Sequence, residues 1–285
     1  MERRAPGFFI LFVIYAAATA IGVAVFRALP GMKILAVLLA ADLAATLFVW
    51  LIGLLINNSS VYDPYWSVAP VILAPLAAAY LKILNAGVLL LLGVILLWGV
   101  RLTIHWAFTF KGLNVQDWRY TDLKAAHPKL WFIINLCGIH LVPTAVVYLV
   151  MIPAFLFIMD FISLNIGIVL SLCLCVFAVI LQTVSDAQMS RFRKSAANAG
   201  SVNRAGLWKY IRHPNYLGEI LMWWGVYFML LSIRPDLWFA LIGPLVNTLM
   251  FISISIPLME NRQLRNKPEY SEYKACTGML LPKLF

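Results

Sequence analysis

The segment GLWKYIRHPNYLGE, residues 206–219, combines side chains that could hold an anionic cofactor. Pro214 is typical of the first residue of a helix, where its fixed φ fits and its missing N–H is not needed. The free backbone N–H groups of that first turn, beside Arg212 and His213, predict a positive pocket at a membrane edge. The alternative is a basic loop at the membrane interface.

Asn215 and Glu219 decide between these two interpretations. They are four residues apart and therefore lie on one face of the predicted helix. A carboxylate one turn inside an apolar helix is unfavourable unless it binds something. We therefore predict a cofactor-binding corner. An interfacial loop explains Lys209 and Arg212 well, but it explains Asn215 and Glu219 less well.

Arg101 lies inside an apolar span, roughly 13 Å from its end at a rise of 1.5 Å per residue. An intramembrane charge is by default a functional hypothesis. His105 follows one turn later on the same face, and Trp98 precedes by about one turn. The alternative is an Arg side chain that reaches toward the interface and pairs with a carboxylate for packing alone. Function is favoured, because Arg101 points toward the same side as the basic loops.

The segment SDAQMSRFRK, residues 185–194, contributes Asp186 and Arg193. It marks where an apolar helix leaves the membrane and becomes basic. Its arginines could clamp a phosphate, because a guanidinium binds phosphate through two parallel hydrogen bonds. They could equally meet anionic lipid, and from this segment alone lipid is favoured.

Asp63, between Tyr62 and Tyr65, is a candidate proton donor. An acid beside phenols at a membrane boundary can protonate a substrate if burial keeps it protonated. The alternative is a helix N-cap, since Asp before Pro is a common helix start. Asp42, midway through another apolar segment, either pairs with Arg101 or lines a substrate cavity.

These residues must be positioned by membrane helices. The chain has 285 residues, is 63% hydrophobic and 12% charged, and has a mean hydropathy of +0.88. This composition excludes an ordinary soluble domain and predicts an all-α, multi-pass integral membrane protein. Apolar segments predict about eight transmembrane helices, at residues 8–29, 33–56, 65–80, 84–110, 131–158, 161–184, 215–232 and 237–259.

Charge placement predicts the orientation. With eight crossings, 17 of the 22 basic residues fall on one side and 4 on the other. The basic side is expected to be cytoplasmic, which places both termini there. The net charge of +10 is thus explained by membrane topology and not by nucleic acid. The chain has no metal-ligand spacing and no dinucleotide-binding glycine motif, so the helices themselves must hold any nucleotide.

Four segments together resemble the C-terminal domain of the steroid 5α-reductases, and most closely their uncharacterised bacterial relatives. They are RLTIHW (101–106), SDAQMSRFRK (185–194), GLWKYIRHPNYLGE (206–219) and ENRQLRNKPEYSEY (260–273). The resemblance covers roughly residues 60–285. It implies N-terminal transmembrane helices over 1–60, a seven-helix membrane reductase domain over 61–285, and a bacterial inner-membrane location.

The resemblance also implies the chemistry: NADPH reduces a conjugated C=C bond of a lipophilic, steroid-like or isoprenoid substrate. Tyr62 and Asp63 stand where those enzymes carry a Gln-Glu pair, and Trp98 falls near their tyrosine. Asp63, Tyr62 and Tyr65 are therefore the catalytic candidates. The candidate cofactor-binding residues are Arg101, His105, Asp186, Arg193, Tyr210, Arg212, His213, Asn215, Glu219, Glu260 and Arg262.

Two other functions are considered. An S-adenosylmethionine-dependent isoprenylcysteine or phospholipid methyltransferase shares a similar RHPxYxG sequence. A transporter or lipid-binding protein would use Asp42, Arg101 and Glu219 as a coupling network. The transporter is disfavoured because the polar residues cluster near one face instead of forming a route across. The expected partners are a lipophilic substrate and membrane lipid.

Overall fold

The computed structural model describes residues 4–161 and 163–283. Helix makes up 81% of the structure, and no strand forms within these ranges. Ile211 and Gly278 make one isolated bridge. The prediction of an all-α protein is confirmed.

Most of the helices are long and apolar. In chain order they are α1 (Arg4–Ala28), α2 (Ile34–Leu55), α3 (Ser59–Leu81, opening with a 3₁₀ turn), α4 (Ala86–Thr109), α5 (Trp118–Ala126), α6 (Pro128–Asp160), α7 (Ile166–Lys194), α8 (Pro214–Leu231), α9 (Pro235–Asn266) and α10 (Tyr270–Cys276). Among the described residues, seven of these (all but α5, α8 and α10) are long and apolar enough to cross a membrane. The chain is a multi-pass helical membrane protein, as predicted.

The number of spans differs from the eight expected. The predicted span at 215–232 does form a helix, α8, but α8 is not among the seven. It has only 18 residues, and Asn215 and Glu219 lie in its first two turns, which lowers its apolar character. The short third span is one of the seven, because a 3₁₀ turn at Ser59–Tyr62 extends it beyond the α-helix Tyr65–Leu81.

Polar side chains fix several helix starts. Asn85 accepts a hydrogen bond from the backbone N–H of Val88 at the start of α4. Asn165 does the same for Ile168 at the start of α7. Such caps satisfy backbone donors that have no partner inside the helix. Pro214 is the first residue of α8, as its sequence context predicts.

The chain forms two compact units, Met1–Phe161 and Ile162–Phe285. The first contains α1 to α6 and the second contains α7 to α10. The division predicted between residues 60 and 61 falls inside the first unit, in the opening turn of α3. Arg101 and His105 thus belong to the first unit, and the GLWKYIRHPNYLGE segment belongs to the second.

In the first unit, small residues allow α1 and α2 to approach closely. A Cβ placed on Gly22 of α1 would lie 3.3 Å from the backbone oxygen of Ala41 of α2. Ala18 and Ala45 are buried in the same two helices. Small residues commonly form such contacts between membrane helices, because they let the backbones pack against each other.

In the second unit, two glycines of α8 bring it against α7. A Cβ on Gly218 would lie 2.8 Å from the backbone oxygen of Ala178, and one on Gly225 would lie 2.4 Å from Sγ of Cys175. The two glycines are seven residues apart and so lie on one face. The glycine of NYLGE is therefore required by helix packing, whatever else the segment does.

Candidate functional site

Arg212 and His213, at the start of α8, converge on Glu260 near the end of α9. Nε of Arg212 and Nε2 of His213 lie 2.7 and 3.0 Å from Oε1 of Glu260. Nζ of Lys274 in α10 lies 2.8 Å from Oε2. Glu260 is only 3% exposed. The structure thus brings three predicted cofactor residues together in one ion cluster, with Lys274 as a fourth member that the sequence did not reveal.

This ion cluster ties the C-terminal tail to the loop before α8. Nη1 of Arg212 donates to the backbone oxygens of Lys274 and Thr277. The backbone N–H of Arg212 donates to the oxygen of Gly278 over 2.8 Å, and that of His213 to Met279 over 3.2 Å. Nε and Nη1 of Arg212 and Nε2 of His213 therefore bond to the protein itself. Contact with a cofactor by these two residues stays a prediction.

The surroundings of His213 favour its neutral ring. Burial lowers its pKa, and this outweighs the opposite effect of the hydrogen bond to Glu260. A carboxylate can only accept, so Nε2 of His213 carries the hydrogen that faces Glu260. The ring also stacks on Tyr216, with centroids 5.3 Å apart and planes 8° apart. Packing on both the face and the edge of the ring fixes its position.

Asn215 and Glu219 are half-buried on one face of α8. Oε1 of Glu219 accepts a hydrogen bond from Nε1 of Trp223 over 3.0 Å. Because Glu and Trp are four residues apart, the indole supports the carboxylate from the next turn. The structure confirms that Asn215 and Glu219 share a helix face. Their binding of a cofactor stays a prediction.

Gln182 of α7 is a polar residue that the sequence analysis missed. It is 1% exposed, and neither its Oε1 nor its Nε2 has a hydrogen-bond partner among the residues described. Its Cγ would lie 2.5 Å from a Cβ on Gly218, so it packs directly against the NYLGE turn of α8. The sequence could have revealed Gln182 by its position four residues before Asp186, because an amide there lies on the same helix face as the acid.

Basic side chains gather where α7 and α9 end. Arg193 is exposed at the end of α7, and Lys267 follows α9. Burial lowers the pKa of the Lys267 ammonium, and the charge of Arg193 lowers it further. Nζ of Lys267 donates to the backbone oxygen of Ser201 over 2.7 Å. The two cations are thus close enough to repel each other, which is a favourable setting for an anion.

The remaining predicted cofactor residues occupy separate helices and loops. Asp186 is half-buried on α7, Arg262 is half-buried on α9, and Tyr210 is exposed before α8. In the first unit, Arg101 and His105 are half-buried, one turn apart on α4. The roles of these five residues stay predictions.

Asp63 is hydrogen-bonded to a phenol outside its own segment, that of Tyr120. The hydroxyl of Tyr120, on α5, donates to Oδ1 of Asp63 over 2.8 Å. Burial raises the pKa of Tyr120 well above its usual value, and the neighbouring Asp63 raises it further. Asp63 does not cap the α-helical part of α3, Tyr65–Leu81, whose N-cap position is Pro64 without a side-chain hydrogen bond. The N-cap alternative is therefore wrong.

Tyr62 and Tyr65 pack together but direct their hydroxyls elsewhere. Their rings stack at 5.0 Å between centroids and 17° between planes. The hydroxyl of Tyr62 lies 2.6 Å from Oγ1 of Thr144, and that of Tyr65 donates to Oδ1 of Asp42 over 2.7 Å. The three catalytic candidates are thus neighbours with three different partners. Tyr65, and not Arg101, is the hydrogen-bond partner of Asp42.

Residues 49–277 match a protein family described as "Protein of unknown function (DUF1295)". The chain belongs to this DUF1295 family. The match begins near the end of α2 and includes α3 to α10, so every candidate site residue lies within it. No curated protein and no solved structure matches the chain. The GLWKYIRHPNYLGE segment and the Asp63–Tyr120 pair both lie within the matched residues of this DUF1295 protein.

Proposed function

We propose that this protein is a membrane oxidoreductase that uses NADPH to reduce a conjugated C=C bond of a lipophilic, steroid-like or isoprenoid substrate. Its family is associated with steroid 5α-reductase-like proteins. The observation that carries the proposal is the buried amide of Gln182. It has an open donor and an open acceptor, and it lies directly against Gly218 of the RHPNYLGE sequence.

The second unit offers side chains that fit each end of NADPH. The carboxamide of a nicotinamide has one acceptor and one donor, so it can pair with both ends of a glutamine side chain. Buried polar atoms are normally hydrogen-bonded, and Gln182 would gain partners in this way. Asn215 and Glu219, on the adjacent helix, would hold the nicotinamide or its ribose.

Arg193 and Lys267 would hold the phosphates. Two neighbouring cations are stabilised by an anion between or beside them, and Arg binds phosphate through two parallel hydrogen bonds. Arg101, His105, Asp186, Tyr210 and Arg262 remain the other predicted cofactor-binding residues.

Asp63, with Tyr120, would supply the acid. NADPH, when bound, provides a hydride for the β-carbon of the enone. Oδ1 of Asp63 accepts from Tyr120, so a protonated Asp63 would donate from Oδ2 to the substrate carbonyl oxygen and stabilise the negative charge that develops there. The Asp63 proton would end on the α-carbon of the saturated ketone, which would leave Asp63 as a carboxylate hydrogen-bonded to Tyr120 until water reprotonates it. Helices that exclude water protect both steps.

The proposal also implies a membrane orientation. Seventeen of the 22 basic residues lie on one side in the predicted topology. If α8 crosses as well as the seven long apolar helices, that side would face the cytoplasm of a bacterial inner membrane, where NADPH is available, and both termini would lie there. The substrate would enter from the lipid.

The direct test is ligand-dependent thermal unfolding of the purified, detergent-solubilised protein. We expect NADPH to raise the unfolding temperature and S-adenosylmethionine to leave it unchanged. Arg193→Ala and Glu219→Ala should weaken the effect of NADPH. Stabilisation by S-adenosylmethionine alone would instead identify a methyltransferase. If neither ligand binds, the proposal is wrong.

A further inference from the structure

The chain between α4 and α6 lies against the turn that opens α3. This 112–126 segment contains α5 and belongs to the first unit. The turn, residues 57–63, reads NNSSVYD and ends at Asp63, the proposed acid. Polar groups of the turn have their partners in the 112–126 segment. The nature of these contacts decides whether the segment is a fixed part of the helix bundle.

Hydrogen bonds attach the first half of the 112–126 segment to the turn. Nδ2 of Asn58 donates to the backbone oxygen of Leu113 over 2.6 Å. The backbone N–H of Ser59 donates to Oε1 of Gln116 over 2.9 Å. This half is therefore attached to the turn through polar groups.

The second half is attached in the same way. The backbone N–H of Asp117 donates to Oγ of Ser60 over 2.8 Å. The hydroxyl of Tyr120 donates to Oδ1 of Asp63 over 2.8 Å. The segment therefore places a hydrogen-bond donor on one oxygen of the proposed acid.

Little buried apolar surface supports these bonds. Within α5, which the structure describes completely, only Tyr120 is buried. The bond from Nζ of Lys124 to Oδ1 of Asn57 is exposed, so water competes for it. A region with few buried apolar contacts and with exposed hydrogen bonds opens locally at a lower free energy than the helix core. The 112–126 segment therefore has the character of a unit that opens before the bundle does.

Gly112 supplies a hinge at one end of the segment. Its φ is +108°, a conformation that glycine adopts readily and other residues do not. Hinges are a few loop residues that absorb changes in backbone angle. α4 ends at Thr109 and α6 begins at Pro128, so both ends of the segment lie outside these helices. The segment can therefore move without breaking either one.

Opening of the segment would bring water to Asp63. The segment lies outside the seven apolar spans, and Arg119, Thr121 and Asp122 of α5 are exposed. Once Tyr120 leaves, Oδ1 of Asp63 can accept a hydrogen bond from water instead. The proposed reduction leaves Asp63 as a carboxylate that needs one proton before the next turnover. A hydronium ion or a buffer acid in bulk water can supply that proton.

We propose that residues 112–126 form a lid, hinged at Gly112, whose opening from the 57–63 turn admits water to Asp63 and returns one proton to it after each reduction. The use of this proton rests on the proposed function, whereas the opening does not. When the lid closes, Tyr120 returns to Asp63 and water is excluded during hydride transfer.

Amide hydrogen exchange tests the opening on the ligand-free, full-length protein in phosphatidylcholine nanodiscs. The N–H groups of Ser59 and Asp117 are the informative probes, because each donates between the lid and the turn. Mass spectrometry that resolves single amides should show both exchanging about tenfold or more faster than amides in the middle of α3. Exchange as slow as in the middle of α3 would overturn the proposal without any substitution.

Gln116→Ala distinguishes a lid from local fraying. It removes the partner of the Ser59 N–H but leaves that of the Asp117 N–H. If the lid opens as one unit, both amides should exchange about fivefold faster, the effect of losing one ordinary hydrogen bond. Tyr80→Phe, which alters an exposed ring of the same unit, is the control and should change neither rate. Acceleration of Ser59 alone would overturn the proposal.

Carbodiimide coupling of a soluble amine to Asp63 tests the access of water. Its rate should rise in Gln116→Ala by the same factor as the amide exchange, whereas the exposed Asp122 should react equally in both proteins. An unchanged rate at Asp63 would overturn the lid. If the lid opens but NADPH does not bind, the proposed function fails and the lid stands. If NADPH binds and the lid does not open, only the lid is wrong.

Discussion

Two polar regions of the second unit differ in whether their buried side chains have hydrogen-bond partners. Around Glu260 the carboxylate is fully used: Oε1 pairs with Arg212 and His213, and Oε2 pairs with Lys274. At Gln182, on α7, neither end of the amide has a partner in the part of the chain described. The first region is complete without any ligand, and the second is not.

The difference separates structural polar groups from candidate binding groups. Removing one member of a buried ion cluster leaves the others uncompensated and destabilises the fold. Replacing a buried polar group that has no hydrogen-bond partner with an apolar one instead removes the free-energy cost of burying it. Stability measurements on the protein alone can therefore distinguish the two roles before any substrate is known.

The largest effect is expected for Glu260→Gln. Glutamine keeps the shape of the side chain but leaves Arg212 buried without its counter-charge, so the free energy of unfolding should fall by about 3–5 kcal/mol. Denaturant or thermal unfolding in detergent measures this. Glu272→Gln, which removes an exposed ion pair with Arg204, is the control and should have no measurable effect. Similar losses in both variants would show that the cluster is not structural.

Gly218→Ala should come next. The added Cβ would lie 2.8 Å from the backbone oxygen of Ala178 and 2.5 Å from Cγ of Gln182, so α7 and α8 must separate. We expect a loss of about 1–3 kcal/mol, together with weaker NADPH binding. Gly93→Ala is the matched control, because a Cβ there meets nothing within 4 Å. A stability of Gly218→Ala equal to that of Gly93→Ala would contradict the close packing.

A smaller effect of opposite sign is expected for Gln182→Leu. Leucine fills a similar volume and removes two unpaired polar atoms, so the ligand-free protein should gain about 1 kcal/mol. Gln188→Leu, on the same helix, is the control. Oε1 of Gln188 accepts from the backbone N–H of Leu207 over 3.0 Å, so its loss should destabilise the protein. Destabilisation by both substitutions would mean that the amide of Gln182 is satisfied in solution.

The smallest expected effect is the change in the free energy of unfolding with pH. His213 has a lowered pKa in the folded state, so the unfolded chain binds the proton more readily below the ordinary value of 6.5. Stability should therefore be complete at neutral pH and fall on acidification, by at most about 1.4 kcal/mol per pH unit for one proton. The unfolding temperature between about pH 7.5 and pH 5.5 measures this. His213→Gln should show a shallower dependence, and an unchanged slope would assign the effect to other groups.

Local patterns predicted the framework of the second unit. Apolar length marked α7 and α9, and Pro214 marked the first residue of α8. Lys274 connects the C-terminal helix α10 to Glu260 at the end of α9. These features depend on composition and on residues close in sequence, which periodicity and capping rules describe.

The partners of individual side chains could not be predicted in this way. Tyr120 is 57 residues from Asp63, and Thr144 is 82 residues from Tyr62. Such pairs are set by how helices pack, and packing of apolar helices leaves little trace in one sequence. Gln182 was overlooked because a single amide in an apolar helix is unremarkable until its surroundings show that both of its ends are unpaired.

The most direct test of the central claim is an NADPH titration followed by thermal unfolding, on the unmodified protein and on Gln182→Leu. We predict that NADPH raises the unfolding temperature of the unmodified protein, and that Gln182→Leu binds NADPH about tenfold more weakly, which corresponds to about 1.4 kcal/mol. Equal NADPH affinity in the two proteins would contradict the assignment of Gln182, and no stabilisation of either would contradict the proposed function.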